Sequence, residues 1–78
     1  MFYVYLLKSL KDNRSYVGYT QDLEARLKRH NNGQVKSTKN RRPFALLHKE
    51  EFETIKDAKA REKWWKSYRG RQEMKKFF

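Results

Sequence analysis

The sequence predicts an α+β fold: a small three-stranded antiparallel sheet flanked by helices, in the order β-β-α-β-α-α. Three observations lead there. Two short stretches rich in Tyr, Val and Leu lie near the N-terminus, separated by a polar run that suits a turn. A third strand-like stretch follows a helix-patterned segment, and two further helix-patterned segments close the chain. With 78 residues and neither an internal repeat nor a linker, residues 1–78 read as a single domain. Its core must be small, because a chain of this size buries only about 60% of the surface it exposes when unfolded.

Residues 2–8 form the first expected strand, the polar run Lys11-Asp12-Asn13-Arg14 the turn, and residues 15–19 the second strand of a hairpin. Thr20 is the expected N-cap of a helix over residues 21–32, with Asp22 in the first turn favoured by the helix dipole and Asn32-Gly33 as the stop. On that helix Leu23 and Leu27 share one stripe, and Arg26 and His30 the adjoining one. From Gln34 to Pro43 the chain is a basic loop carrying Lys36, Lys39, Arg41 and Arg42 and no acid. Pro43 opens a third strand, residues 44–52, with Leu46 and Leu47 as its core candidates. Thr54 to Asp57 resembles a capping box for a helix over residues 55–68, which Gly70 ends. A short last helix within 71–78 packs back on the sheet through Met74, Phe77 and Phe78.

Twenty Lys and Arg against nine Asp and Glu give a formal charge of +11, a balance that suits a polyanionic partner. Phosphates neutralised by Lys or Arg release condensed counterions, which yields affinity for DNA or RNA regardless of base sequence. The 15% aromatic content speaks against a disordered basic tail. There is no cysteine, so disulfides and thiolate metal sites are excluded, and two histidines are too few for a His-rich metal cluster. The apolar N-terminal run is too short for a signal peptide or membrane span, so the chain reads as soluble and cytoplasmic, with no membrane partner.

Two places carry candidate chemistry. On the second helix Ala58, Glu62 and Trp65 share a face suited to burial, and a carboxylate there is either paired with Arg61, Lys63 or Lys66 or kept for a metal. The hairpin concentrates the phenols of Tyr3, Tyr5, Tyr16 and Tyr19, each with a polar end that needs a partner.

The paired segments Tyr3-Val4-Tyr5 and Tyr16-Val17-Gly18 resemble the two motifs of the GIY-YIG nuclease superfamily. Arg26 and His30 match the Arg and the His or Tyr on the helix that follows in that family, and Glu62 matches its metal-binding Glu. The resemblance covers nearly the whole chain. It is nearest to short, stand-alone bacterial-type members, which share the Lys-Ser-Thr-Lys, Arg-Arg-Pro and Lys-Ser-x-Arg-Gly-Arg segments. Two positions depart from the pattern: Tyr3 stands where the first motif has Gly, and no Asn follows Glu62 where several family nucleases carry one.

The resemblance implies phosphodiester hydrolysis, with Tyr5, Tyr16, Arg26, His30 and Glu62 forming the site. It assigns Glu62 to one Mg²⁺ or Mn²⁺ and Arg26 to the non-bridging phosphate oxygens, where a guanidinium can act bidentately. Tyr5 or Tyr16 is the candidate base, and a phenol of pKa about 10 must then be lowered by cations or the metal. His30 is suited to bonding the phosphate, orienting a tyrosine or shuttling a proton, or else is a C-terminal histidine favoured by the helix dipole. Gly18 leaves room for close approach, and His48 is either at the edge of the site or an ordinary surface or core residue. Lys36, Lys39, Arg41, Arg42, Lys66, Arg69 and Arg71 are the expected grip on nucleic acid, positioning it without reading its sequence. Nothing resembles a base-reading element, so structure-selective or weakly selective binding to DNA is expected, with RNA the alternative polyanion and room for a targeting partner protein. The rival reading is a binding module of the same fold that does not cut, or a catalytic subunit that needs a partner.

Overall fold

The computed structural model describes residues 1–78. Strand β1 (Phe2–Ser9) is the centre of the sheet, with β2 (Ser15–Thr20) and β3 (Phe44–Phe52) antiparallel on either side. Being central, β1 is buried on both faces, which explains its near-continuous apolar run. Val4 and Leu6 point to the face covered by α2 (Ile55–Lys66) and α3 (Tyr68–Met74), where Val17, Ala58, Trp65 and Met74 complete the larger core. Tyr5 and Leu7 point to the opposite face, where they pack with Phe44, Tyr16, Leu23 and Leu27 beneath α1 (Leu23–Asn31). The alternation of side chains along one strand thus divides the molecule into two chemically different halves.

Several element ends differ from the sequence expectation. Helix α1 is capped by Asp22, not Thr20, because the Asp22 carboxylate accepts from the Ala25 amide, while the Thr20 hydroxyl, two residues earlier, accepts from Asp22 N ahead of the helix. Its C-terminus is closed as expected at Asn32-Gly33: Gly33 takes φ 77°, and Gln34 N–H returns to Arg29 O. Thr54 does cap α2, accepting from Asp57 N. That helix stops at Lys66, because the Ser67 hydroxyl turns to accept from Gly70 N and starts α3. Gly70 is therefore no terminator; it lies inside α3, buried, where a Cβ would run into the backbone of Trp64 and Trp65. The final helix accordingly begins at Tyr68, and a single 3-10 turn at Lys75–Phe77 follows it.

Two further corrections concern the core. A bulge shifts the register of β3 between the pairs Leu6–His48 and Leu7–Leu46, so that Leu46 is exposed while Leu47 packs on the larger core. The basic segment after α1 is more than a loop: it contains a 3-10 turn at Lys39–Arg41 and buries Thr38 completely. No helix is long and apolar enough to cross a membrane.

Candidate active site

The α1 face gathers Tyr5, Tyr16, His30 and Phe44 into one aromatic cluster. Ring centroids lie 6.3 Å apart for Tyr5–Tyr16, 4.9 Å for Tyr16–His30 and 5.9 Å for His30–Phe44. The hairpin register sets this up. Tyr5 pairs with Gly18 and Leu7 with Tyr16, so both tyrosines project from the same face. Gly18 is needed because an added Cβ would overlap the hydroxyl end of the Tyr5 phenol. Its geometric role is thus to admit a tyrosine of the neighbouring strand.

A buried chain of hydrogen bonds fixes His30. The Tyr5 hydroxyl is 2.9 Å from His30 Nε2, and His30 Nδ1 is 2.8 Å from Thr38 Oγ1. With the Thr38 proton turned towards Val35 O, 3.4 Å away, its oxygen accepts from His30 Nδ1–H, and Nε2 is left with a lone pair to accept from Tyr5. Burial, with the nearby charges of Arg26 and Arg29, brings the His30 pKa down to about 4. The imidazole is therefore neutral near pH 7, as the bonding pattern requires. Thr38 was not readable as a member of this chain: it sits in a charge-rich run with no periodicity, and only the Lys36-Ser37-Thr38-Lys39 segment shared with the short GIY-YIG members singled out its neighbourhood.

Arg26 and Glu62 approach from different elements, α1 and α2, and both lie near enough to Tyr5 to act on its phenol. Burial raises the Tyr5 pKa above 10; the Arg26 guanidinium beside it works against that rise, while Tyr16 and the Glu62 carboxylate add to it. Cations were expected to lower the phenol, and at Tyr5 burial outweighs them. Arg26 Nε is buried without a hydrogen-bond partner, a donor poised for an acceptor. Glu62 is half-buried, and its one ion pair is to Lys66 at 3.6 Å. The deeply engaged carboxylate on the α2 side is a different one. Glu50 receives Arg61 Nε at 2.9 Å and Nη2 at 3.0 Å, together with Trp65 Nε1 at 3.0 Å. His48 Nε2 lies 3.3 Å from it, which places His48 on the face away from Tyr5 and not at the edge of the site.

The residues expected to grip nucleic acid lie on several elements. Lys36, Lys39 and Arg42 are exposed along the segment that follows α1, and Arg69 is exposed on α3. Arg41 is held by Asp12 at 2.8 Å and by Ser15 O, so part of its role is to brace the hairpin turn. That ion pair drives the Asp12 carboxyl far below the ordinary range. Arg41, Lys66 and Arg71 meet at a cleft that reaches Tyr16.

The family model of the GIY-YIG catalytic domain matches residues 1–76. The chain belongs to the GIY-YIG family. It is similar to a UPF0213 protein of Staphylococcus saprophyticus, 42% identical over 74 residues that make up 94% of this chain and 89% of that protein. A UPF0213 protein of Clostridium perfringens is 43% identical over 95% of this chain and 80% of its own length. The solution NMR structure of a UPF0213 protein from Bacillus halodurans superposes with a TM-score of 0.56 at 36% identity, covering 95% of this chain and 82% of that one. Membership points to nuclease-type chemistry, and the α+β architecture is that of this GIY-YIG relative.

No three His, Asp or Glu side chains cluster to hold a metal by themselves. A divalent ion of the Mg²⁺ kind does not need such a cage, since it is commonly held by one or two carboxylates and substrate phosphate oxygens while it keeps several waters. Glu62, accessible and bound only to a flexible lysine, is a donor that fits this mode.

Proposed function

We propose that this GIY-YIG protein is a cytoplasmic, metal-dependent endonuclease, a single domain over residues 1–78, that hydrolyses DNA phosphodiesters with structure-selective or weak preference. The observation that carries the reading is Arg26: a partly exposed guanidinium on α1 with an unpartnered Nε, near enough to Tyr5 to act on its phenol. A phosphate supplies the acceptor that this donor lacks.

Arg26 binds the non-bridging oxygens and neutralises the charge that gathers on them. Glu62, whose one ion pair is to Lys66, would hold Mg²⁺ or Mn²⁺, which when bound would polarise the phosphate and stabilise the leaving oxygen. Of the two tyrosines, Tyr16 is the half-exposed one and can meet a water, so it is assigned as the base whose phenolic oxygen takes the proton of the attacking water. Tyr5 is sealed in and donates to His30 Nε2, which makes it a positioning residue that keeps the neutral imidazole against the Tyr16 ring. Lys36, Lys39, Arg42 and Arg69 supply phosphate contacts around the site.

The test is cleavage of supercoiled plasmid and of labelled branched DNA with Mg²⁺ or Mn²⁺, comparing the parent with Arg26→Ala and Glu62→Ala, both checked for folding by circular dichroism. The parent nicks DNA, and each variant loses roughly 100-fold or more of that rate while still binding, the scale expected when a charge-stabilising group is removed. Tight binding by the parent without cleavage of any substrate replaces this reading with the binding module, or with a subunit that needs its partner.

A further inference from the structure

Between the first turns of α1 and β3 lies an open groove of about 450 Å³ whose apolar walls are Tyr3, Leu23, Leu27 and Leu46. Leu46 is 39% exposed there, left at the surface by the bulge in β3. The charged residues of the lining are Asp22, Glu24 and Lys49, so the groove is acidic on balance in a chain whose cations outnumber its acids by 20 to 9. The fold leaves both acids available: Asp22 is in no ion pair, and Glu24 reaches only the exposed Lys28, at 3.7 Å. Beside the groove runs the outer edge of β3, which pairs with β1 alone. The Asn31 side chain bonds both the N–H and the C=O of Phe44, standing in for a neighbouring strand at that one position, and the edge from Leu46 to Glu51 is open.

We propose that α1 and the edge of β3 form a docking site for an extended segment of a partner protein, with apolar side chains at alternate positions and Lys or Arg between them. Backbone bonds to an open edge hold such a segment, and every second side chain turns to the face where the groove lies. Lys49 and Glu51 pair with Tyr5 and Tyr3 of β1, so they stand on the α1 face and border the path of that segment. Charge decides the occupant. Asp22 and Glu24 attract a basic segment and repel phosphates, which sets this surface apart from the cationic ones suited to nucleic acid. The volume, within the range of roughly 300–1,000 Å³ typical of binding pockets, admits about two or three side chains. The proposal does not depend on the nuclease reading: neither Tyr16 nor Glu62 lines the groove, and Tyr16 stands on β2, across the central strand. A segment seated here leaves Tyr16 uncovered, which is the arrangement a targeting partner needs.

The experiment is a ¹H–¹⁵N chemical-shift titration of the full chain with a short synthetic peptide of alternating Leu and Lys. Three copies serve as controls, with Glu for Lys, with Ser for Leu, and with alternate backbone nitrogens methylated. The Leu/Lys peptide moves the amides of Leu23, Leu46 and Lys49, and each control binds there at least roughly tenfold more weakly. Leu46→Gln weakens the Leu/Lys peptide by roughly tenfold, through the apolar contact it removes. Asp22→Asn/Glu24→Gln, which keeps a capping side chain on α1, weakens it by roughly two- to fivefold, and by less at high salt. All three residues are exposed, so both variants keep the fold. Shifts confined to another surface, a Glu or methylated copy that binds the groove as well, or variants that bind like the parent overturn the proposal. Sedimentation of the free chain tests the rival occupant: self-association that Leu46→Gln abolishes makes the occupant a second copy and overturns the partner. Leu46→Gln binds DNA in EDTA as the parent does; weaker DNA binding assigns the groove to nucleic acid and likewise overturns it.

Discussion

Each face of the sheet buries a polar network, and the two differ in how completely it is satisfied. Beneath α2, both Glu50 oxygens are occupied by the Arg61 fork and the Trp65 indole, and Arg61 is also stacked on the Trp64 ring at 4.1 Å. Beneath α1, the Tyr5–His30–Thr38 chain closes on Val35 O, yet Arg26 beside it keeps a buried donor unpaired. A closed network can only hold the fold. An orphaned buried donor costs about 1–3 kcal/mol, so an acceptor brought from outside the fold gains there. The contrast between a closed and an open polar network is therefore visible within 78 residues, on opposite sides of one strand.

The largest effect that sharpens this contrast is expected on the closed side. Glu50→Ala leaves the Arg61 guanidinium and the Trp65 N–H facing each other without an acceptor, and removal of one partner of a buried pair costs roughly 3–5 kcal/mol. Arg61 is about one-third exposed, which puts the expectation near the lower end. Thermal unfolding followed by circular dichroism should show a fall in Tm of more than about 10 °C for a domain of this size. A loss below about 1 kcal/mol would place the network with ordinary surface ion pairs and erase the distinction between the faces.

This closed network was the least legible part of the fold. A strand carrying Lys49, Glu50 and Glu51 in succession reads as solvent-facing, and nothing local says that one of those carboxylates turns inward to meet an arginine eleven residues on. The bulge in β3 hid part of the core as well, since one extra residue reverses the alternation, and of the two expected core leucines Leu47 packs inward while Leu46 is exposed. By contrast, the three strands and the helical stripe of Arg26 and His30 follow from short-range periodicity and were readable. Gly70 misled because a glycine after a helix reads as a stop, whereas here it permits close contact with the end of α2. Thr38 could not be found by pattern, because its partner is set by a 3-10 turn that brings the chain back to α1.

On the α1 face, acid should weaken the fold before it touches Glu50. His30 is held neutral down to about pH 4, against 6.5 for a free imidazole. Between those values the unfolded chain binds a proton that the folded chain refuses, so stability falls as pH is lowered from about 6.5 towards 4. Burial alone would raise the Glu50 pKa, but the bonds from Arg61, Trp65 and His48 outweigh it and hold it at about 2, against 4.5 unfolded. Its contribution is therefore complete above about 4.5 and is lost only as pH falls from there towards 2. Urea unfolding at pH 7 and at pH 5 should differ by roughly 2 kcal/mol in the parent, and by clearly less in His30→Asn. An equal pH response in the two proteins would mean that His30 is not the group responsible.

The smallest effect, and the most discriminating, is Tyr5→Phe. The ring still fits over Gly18, so packing is conserved and only the hydroxyl is lost. That leaves the fully buried Nε2 of His30 without its donor while Thr38 continues to hold Nδ1, and an unpaired buried acceptor of this kind costs about 1–2 kcal/mol. The imidazole should keep its tautomer, readable from ¹⁵N chemical shifts, because Thr38 and not Tyr5 selects it. DNA cleavage should fall less than in Arg26→Ala if Tyr5 positions and Tyr16 acts as base; a loss as deep as that of Tyr16→Phe would transfer the base to Tyr5. Should the stability cost match that of Glu50→Ala, the Tyr5–His30–Thr38 chain would be a structural lock like its counterpart across the sheet, and Arg26 alone would remain to mark the α1 face as the working one.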